Sequence, residues 1–426
     1  MSRVLLSCVL CLAATAVYGQ DLVIPARLSL EDALRLATER NPNLAAARNS
    51  VEIAAAGRIE ARLRPNPAFT FESGSYPLFE SPRPSFIGNQ EMTLRFDQEI
   101  ELAGRRRLRT QVAETGVSTA EAGLDDQRRR LDFDVRRAYF TVVLAKADVD
   151  VSRAALEEID RVIGLNRARY EQGEISGGEL RRVQVERLKF VDDVFAAQLA
   201  LKNARSALLA LFNAPNLSAE FDVTEPLSIS TSTAGVASSP PLDPVSLRTQ
   251  ALSSRPDLLA AQRSVQRADT ETSLQRALRT PNLTVGGGYR RDFGSDGVVF
   301  GVTVPLPFSN RNQGGIARAE AERRQAANLA AATAVSVSLD VQQAINAVDV
   351  SGARVQYIEG EYLTPARESR DIVLAAYRLG TADLIDFLDA QRAFRDTART
   401  YNRALYDQRV SLFQLSAATG VAGSIR

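Results

Sequence analysis

The sequence predicts a mainly helical protein with a small β part and an internal duplication. Three observations predict this fold class. Motifs at Asn41 ("NPNLAAAR") and Arg169 ("RYEQGEIS") recur in order at Arg255 ("RPDLLAAQR") and Ala376 ("AYRLGTAD"), about 210 residues later. Apolar residues repeat every seven positions through the longest segments, which indicates coiled-coil helices. Two isolated stretches instead alternate with a period of two, which indicates strands.

The first 19 residues have the pattern of a secretory signal peptide. Arg3 precedes an apolar stretch from Val4 to Val17, and small residues stand at plausible cleavage points after Ala16 or Gly19. An alternative is lipidation of Cys8, because "LLSC" resembles a lipobox, although the apolar stretch before it is short. We expect a signal peptide over 1–19 and an exported protein.

Composition excludes several functions. The chain of 426 residues has no His, and its 2 Cys both lie in the predicted signal peptide. The mature chain then offers neither thiol nor imidazole, so we expect no resident metal and no cofactor. The usual general base, thiol nucleophile, phosphate-binding loop and GxSxG motif are missing, which argues against an enzyme. A formal net charge of +1 gives no indication of nucleic-acid binding.

Each half predicts the same order of elements. Ser29 and Asp32 resemble a capping box that opens a helix, and Pro42 opens the next one. The first repeat spans 20–213, with a hairpin over 67–99, a long helix over 105–170 and a helix over 176–213. A linker rich in Ser, Thr and Pro covers 214–243. The second repeat spans 244–426, with a hairpin over 282–305, a long helix over 314–378 and a helix over 383–419.

The long helices carry the heptad pattern. Val135, Val142 and Val149 lie seven apart in the first one, and a repeat sustained in this way predicts a left-handed supercoil. In the second one a comparable series is Val337, Ala344, Ser351, Ile358, Ile372 and Leu379. Pro365 lies inside that helix and predicts a kink or interruption near Glu361.

The hairpins predict strands with one apolar face. The apolar positions are Phe69, Phe71, Met92, Leu94, Phe96, Leu283, Val285, Tyr289, Val298, Phe300, Val302 and Val304. Strands of about nine residues are long enough to cross a lipid bilayer when tilted. The alternative is an ordinary pair of hairpins whose apolar faces cover a soluble core. A chain with so few strands cannot close a barrel in a membrane, so several chains would have to share one barrel.

Specific segments resemble the TolC family of outer-membrane efflux channels. These are the duplicated order of elements, Pro365 and "AYRLGTADLIDFLDAQRAF" from Ala376. "QEIELAGRRRLR" at Gln98 and "PLPFSNRNQGGIARAEA" at Pro305 look most like the cobalt-zinc-cadmium resistance subgroup. The resemblance implies a homotrimeric TolC-like tube. Its long coiled-coil helices would form a periplasmic α-barrel, and the strands of all protomers would form one shared transmembrane β-barrel in the bacterial outer membrane.

The same resemblance implies a function. The protein would be the passive exit duct of a tripartite efflux pump, coupled to a periplasmic adaptor (a membrane fusion protein) and an inner-membrane transporter of the resistance-nodulation-division type. The subgroup would make metal cations the cargo. One alternative is a channel for drug efflux or type I protein secretion. A second, from a different class, is a periplasmic coiled-coil scaffold that forms no channel.

The resemblance also implies a constriction at the periplasmic entrance. Asp386 and Asp389 would ring that entrance and attract cations, whereas without the resemblance they would be ordinary solvated carboxylates. Tyr377 matches a residue that holds the entrance closed. The family's basic lock residue is replaced by Ala382, and its acidic partner position is Glu179, so both Tyr377 and Glu179 are gating candidates.

Two glycines mark the predicted helix tips. Gly173 and Gly380, the latter followed by Thr381, end the long helices of the two halves. A helix-terminating role explains both glycines by itself. The family resemblance implies in addition that these tips dock the adaptor.

Overall fold

The computed structural model describes residues 24–74, 91–228, 243–292 and 294–420. The predicted signal peptide with Cys8, and residues 229–242 of the predicted linker, lie outside this part of the chain. The chain divides into two compact units. Unit 1 comprises Met1–Asn41, Val135–Ile229 and Val355–Asp407, and unit 2 comprises Pro42–Asp134, Ser230–Arg354 and Gln408–Arg426.

Helices dominate both units. They are α1 (Leu30–Arg40), α2 (Pro42–Arg62), α3 (Arg105–Glu171), α4 (Gly177–Leu211), α5 (Pro244–Ser254), α6 (Pro256–Ala277), α7 (Gln313–Ile358), α8 (Thr364–Arg378) and α9 (Leu384–Thr419). The prediction of a mainly helical chain with a small β part is confirmed. Within the described residues, none of these helices has an apolar stretch suited to crossing a bilayer.

Heptad positions supply the cores. Val135, Val142 and Val149 of α3 are at most 2% exposed, as side chains on the inner face of a long helix should be. Near the end of α3, the core of unit 1 includes Ile159, Ile163, Val183, Phe190, Leu374 and Phe387. In unit 2, a separate core brings together Ala251, Leu258, Val337, Val341, Ala344 and Leu415.

A π-helical turn at Glu359–Leu363 separates α7 from α8. Pro365 lies in the first turn of α8, directly after the π turn and close to the interruption predicted near Glu361. The π turn adds a residue and so rotates the helix that follows. For that reason the heptad series does not continue as predicted: Ile372 and Leu379 are 69% and 81% exposed. Leu374 and Tyr377 are buried instead.

The ends of α4 and α9 are capped by equivalent residues of the two halves. Asn41, which precedes Pro42, donates its side-chain amide to the carbonyl oxygen of Leu211 at 3.0 Å. Arg255, which precedes Pro256, donates to the carbonyl oxygen of Ala418 at 3.4 Å. Both side chains satisfy carbonyl groups that a helix end leaves without partners.

Arg255 is also the centre of an ion cluster in unit 2. Arg255 is only 5% exposed. Its guanidinium binds the carboxylates of Asp257 and Asp340, the latter at 2.8 Å. Arg129 lies 3.8 Å from Asp257 and binds Asp126 at 2.7 Å. Every charge in this cluster has an opposite partner, which a buried charge requires.

The strands form two small sheets. They are β1 (Arg27–Leu28), β2 (Ala68–Gly74), β3 (Glu91–Ile100), β4 (Asp222–Val223), β5 (Leu283–Asp292) and β6 (Ser295–Thr303). An antiparallel sheet has the order β2-β3-β5-β6, so the two predicted hairpins are hydrogen-bonded to each other through β3 and β5. A parallel pair joins β1 to β4.

The antiparallel register gives the larger sheet one apolar face. Phe69 pairs with Phe96, Leu94 with Tyr289, and Tyr289 with Val298, so the side chains of these residues project on the same side. Val304 follows the end of β6. The apolar side chains are highly exposed: Phe69 57%, Phe71 57%, Phe96 62%, Val298 71%, Phe300 86% and Val302 67%.

Gly286 and Gly288 occupy the opposite, polar face of this sheet. A Cβ atom on Gly288 would lie 1.9 Å from the backbone carbonyl oxygen of Leu94, so the two strands approach too closely for any side chain there. Gly286 leaves room for the carboxylate of Asp97, which binds Arg95 at 2.7 Å. Gly286 and Gly288 of "VGGGY" therefore serve strand packing.

The parallel pair was not predicted from the sequence. Phe221 and Val223, in the predicted linker, are 3% and 6% exposed. The hydroxyl of Tyr139 donates to the carbonyl oxygen of Leu28 at 3.0 Å and accepts from the N–H of Thr224 at 3.2 Å. The start of the linker thus belongs to the packed part of unit 1.

Candidate functional site

The helix tips of unit 1 have the same geometry in both halves. Gly173 and Gly380 have φ of 76° and 78°, a left-handed conformation that favours glycine. The N–H of Gly380 donates to Tyr377 and that of Thr381 to Ala376, which is the Schellman arrangement. The N–H groups of Gly173 and its successor make the equivalent bonds at the end of α3. Each tip is therefore a defined turn.

Tyr377 lies buried beside the second tip. Its hydroxyl donates to Oδ1 of Asn166 on α3 at 2.7 Å, and both residues are at most 6% exposed. Its ring stacks on Phe387 of α9, with 5.7 Å between ring centroids and 22° between planes. One side chain thus connects three helices.

Burial raises the pKa of the Tyr377 hydroxyl, and the charge of Glu179 raises it further. The hydrogen bond to Asn166 and the charge of Arg169 lower the pKa, but burial outweighs them. The hydroxyl therefore stays protonated at neutral pH and remains the donor to Asn166.

Arg169 reinforces the same contact. Its guanidinium donates to the carbonyl oxygens of Tyr377 and Arg378 at 3.2 and 2.8 Å, and it lies 5.6 Å from the centroid of the Tyr377 ring. A cation is well placed at these carbonyls because a helix C-terminus carries partial negative charge. Arg378 in turn binds Glu158 at 3.2 Å.

Sequence reasoning missed Asn166 and Arg169. Asn166 continues a second seven-residue series of α3 through Ser152 and Ile159, both of which are at most 1% exposed. A lone polar side chain at such an inward position requires a partner, and this was the signal that could have found it.

Glu179 lies at the start of α4. Its carboxylate accepts from the N–H of Ser176 at 3.1 Å, and its own N–H donates to the Ser176 hydroxyl at 3.2 Å. This is a capping box. Glu179 acts on Tyr377 through its charge, while the hydrogen-bond partner of Tyr377 is Asn166.

Asp386 and Asp389 are both exposed near the start of α9. Phe387 and Leu388, between them, are at most 4% exposed, so the two acids lie on the opposite, outer face of the helix. Asp386 accepts from the N–H of Asp383 at 3.3 Å. Asp389, with a side chain 65% exposed, pairs with Arg392 at 3.3 Å. These carboxylates are accessible to ions in solution.

No cluster of three or more His, Cys, Asp or Glu side chains suited to holding a metal occurs in the described part of the chain. The acidic pair therefore offers electrostatic attraction to a passing cation and no built coordination site.

Residues 33–214 and 247–421 match the sequence profile of a family described as outer membrane efflux protein. The chain is 28% identical over 368 residues to the cobalt-zinc-cadmium resistance protein CzcC of Cupriavidus metallidurans, covering 86% of this chain and 83% of that protein.

Solved channels share the fold. The CmeC outer membrane channel of Campylobacter jejuni superposes with a TM-score of 0.73 at 18% identity, covering 92% of this chain and 85% of that one. CusC, whose structure was described in terms of transmembrane channel formation, gives 0.74 at 17% identity and covers 92% of each chain.

The fold and the match along both halves define an outer-membrane efflux channel. This chain belongs to the outer membrane efflux protein family. The resemblance to TolC-like channels, and to the cobalt-zinc-cadmium resistance subgroup in particular, is confirmed.

Proposed function

We propose that the chain is the homotrimeric exit duct of a tripartite efflux pump that exports metal cations. It is exported by a cleaved signal peptide, and its strands join those of two further copies in one transmembrane β-barrel. The duct works with a periplasmic adaptor and an inner-membrane transporter of the resistance-nodulation-division type. The tips at Gly173, Gly380 and Thr381 dock the adaptor.

The observation that carries this proposal is the exposed apolar face of the larger sheet. Phe300, Val298 and Val302 of β6, an edge strand, are between 67% and 86% exposed. An open sheet edge and an apolar face are stable in lipid only when further strands close the sheet. The same face in water would favour aggregation. Lipid would cover the apolar face of the sheet, and strands from neighbouring copies would pair with its open edges.

Metal cargo is supported by the relative CzcC, which is a cobalt-zinc-cadmium resistance protein. It agrees with the exposed pair Asp386 and Asp389, which trimerisation would multiply around one opening. Carboxylates near a narrow pore attract cations and repel anions. Tyr377, held by Asn166, keeps α8 against α3 and so holds that opening in its closed form.

Membrane extraction and conductance test the duct. The protein should remain in outer-membrane vesicles after a carbonate wash and should conduct ions in planar bilayers. Release by carbonate, together with a water-soluble monomer, would establish the rival periplasmic scaffold.

Cargo is tested separately by deleting the gene in its host. Loss of cobalt, zinc or cadmium tolerance, restored by a plasmid copy, would support metal export. Unchanged metal tolerance with new sensitivity to drugs, or loss of a secreted protein, would instead support the alternatives of drug efflux or type I secretion.

A further inference from the structure

Four arginines that have no carboxylate partner among the described residues lie where the larger sheet joins the helices. Arg64 precedes β2, Arg106 and Arg107 lie in the first turn of α3 directly after β3, and Arg279 precedes β5. The start of β2, the end of β3 and the start of β5 lie at the same end of the strands in the antiparallel sheet. This end of the sheet is here called the junction edge. All four arginines are exposed.

Two clefts collect charge at the junction edge. One, of about 840 Å³, is lined by Arg62, Arg105, Arg106 and Arg107 among others. The second, of about 550 Å³, is lined by Arg279 and Arg311. Part of this charge is neutralised, because Glu101 and Glu114 also line the first cleft and Glu114 binds Arg62 at 2.7 Å. The four arginines named above form no ion pair within the described part of the chain, so the surplus is positive.

Apolar side chains accompany this charge. Phe308, Leu306 and Leu63 are 78%, 66% and 61% exposed. Phe308 and Leu306 line the same cleft as Arg279 and Arg311. Ile100 and Leu283 pair at this edge, and their side chains continue the apolar face of the sheet. Arginine beside exposed aromatic and aliphatic groups is the composition of a surface that lies at a membrane interface.

The opposite edge of the sheet differs. Arg290 binds Glu91 at 3.0 Å, and Arg291 lies 3.8 Å from Asp296. The arginines described at that edge therefore have carboxylate partners. Among the described residues, the surplus positive charge of the sheet therefore lies on the side of the helices.

We infer that the junction edge binds the phosphate groups of anionic phospholipids in the leaflet that faces the helices. The guanidinium groups of Arg64, Arg106, Arg107 and Arg279 bind phosphate, while Phe308 and Leu306 insert among the upper acyl carbons. This inference rests on the proposed insertion of the sheet in a membrane. It adds the chemical class of lipid and the residues that select it.

The chain contains no Trp, so one substitution supplies a unique fluorescent reporter. The full mature protein with Phe308→Trp is reconstituted in phosphatidylcholine bilayers that contain phosphatidylglycerol. In one sample the phosphatidylcholine carries a dansyl label, and in a second sample the phosphatidylglycerol carries it. Comparing energy transfer from the reporter in the two samples shows which lipid lies nearby. The test variant adds Arg64→Gln, Arg106→Gln, Arg107→Gln and Arg279→Gln. The control variant instead adds Arg153→Gln, Arg167→Gln, Arg248→Gln and Arg324→Gln, which removes the same charge from exposed helix positions.

We expect phosphatidylglycerol to be enriched near the reporter by about fivefold or more in the parent and control proteins. The test variant should lose this enrichment while remaining inserted, and added salt should reduce it. Equal transfer to both labelled lipids in the parent, or enrichment that survives in the test variant, overturns the inference while leaving the duct intact. A protein that transfers energy to neither lipid and is removed by carbonate contradicts the proposed function as well.

Discussion

The hydroxyl of Tyr377 donates to Oδ1 of Asn166 across 2.7 Å, although the two residues are 211 positions apart in the chain. This bond fastens α8 to α3 next to both tips. Its partners are neutral, since the pKa of Tyr377 is raised by burial and an amide does not titrate. The contact therefore holds unchanged from acid to neutral pH, whereas a lock made of a salt bridge would weaken in acid as its carboxylate is protonated.

Removing that hydroxyl should loosen the tip. Tyr377→Phe leaves a buried amide oxygen without its donor, which costs about 1–3 kcal/mol in the closed form. We expect a larger single-channel conductance in planar bilayers. Tyr170→Phe is the matched control, because Tyr170 is 49% exposed. Parent-like conductance in Tyr377→Phe would show that the bond does not restrain the entrance.

The acidic pair should set the response to multivalent cations. Asp386→Asn combined with Asp389→Asn removes exposed negative charge, so block by a trivalent cation should require about tenfold more of it. Single-channel recordings measure this directly. Asp150→Asn with Asp192→Asn removes two other exposed carboxylates and should leave the block unchanged. Equal block in the parent and the Asp386 and Asp389 variant would contradict a constriction at these residues.

Arg255 should be a strong contributor to the stability of unit 2. Arg255→Ala leaves the partly buried carboxylate of Asp257 short of its main partner, at a cost of about 3 kcal/mol. A lower melting temperature is expected in thermal unfolding followed by circular dichroism. Arg248→Ala, at an exposed position of α5, should melt like the parent. Equal melting of both variants would mean that the cluster adds nothing to stability.

The same cluster predicts a loss of stability in acid. Burial alone would raise the pKa of Asp257, but hydrogen bonds and charge from Arg255, with the charge of Arg129, lower it below the usual 3.8. A depressed folded-state pKa stabilises the fold above the unfolded pKa, and this stabilisation is lost as pH falls through the folded value. Melting temperatures between neutral pH and pH values below 3.8 should therefore fall less steeply in Asp257→Asn than in the parent. Parallel curves would refute the assignment.

Gly288 should tolerate no side chain. Gly288→Ala forces a Cβ atom against the Leu94 carbonyl, which must separate β3 from β5. The amount of folded protein recovered from outer-membrane vesicles should drop several-fold. Gly297→Ala is the control, since its Cβ would lie 3.8 Å from the nearest atom, the Arg290 carbonyl oxygen. Similar recovery of both variants would contradict the close approach.

Sequence periodicity was sufficient to predict which face a side chain lies on wherever a single period held along a whole helix or strand. The two-residue alternation around Phe69 and Phe300 indicated which side chains share a face, because successive side chains of a strand point to opposite faces of the sheet. The seven-residue series at Val135 indicated the inner face of α3 for a similar reason. Local patterns of this kind depend only on backbone geometry.

Features that join distant segments could not be predicted in this way. The pairing of β1 with β4 depends on Tyr139, which lies far from both strands in the sequence. The partner of Tyr377 could not be read from its own surroundings, because Asn166 belongs to the other half of the chain. The exposure of Ile372 follows from a change in helix type at Glu359–Leu363 that Pro365 suggested only in general terms.

The π turn at Glu359–Leu363 also makes the two duplicated halves non-interchangeable. The matching helix of the first half, α3, runs from Arg105 to Glu171 without such a turn. A π turn changes the rotation of every later position of the helix. The same heptad position therefore faces inward in one half of the chain and outward in the other after this point. A segment transplanted from α3 into α8 would present different side chains to its neighbours.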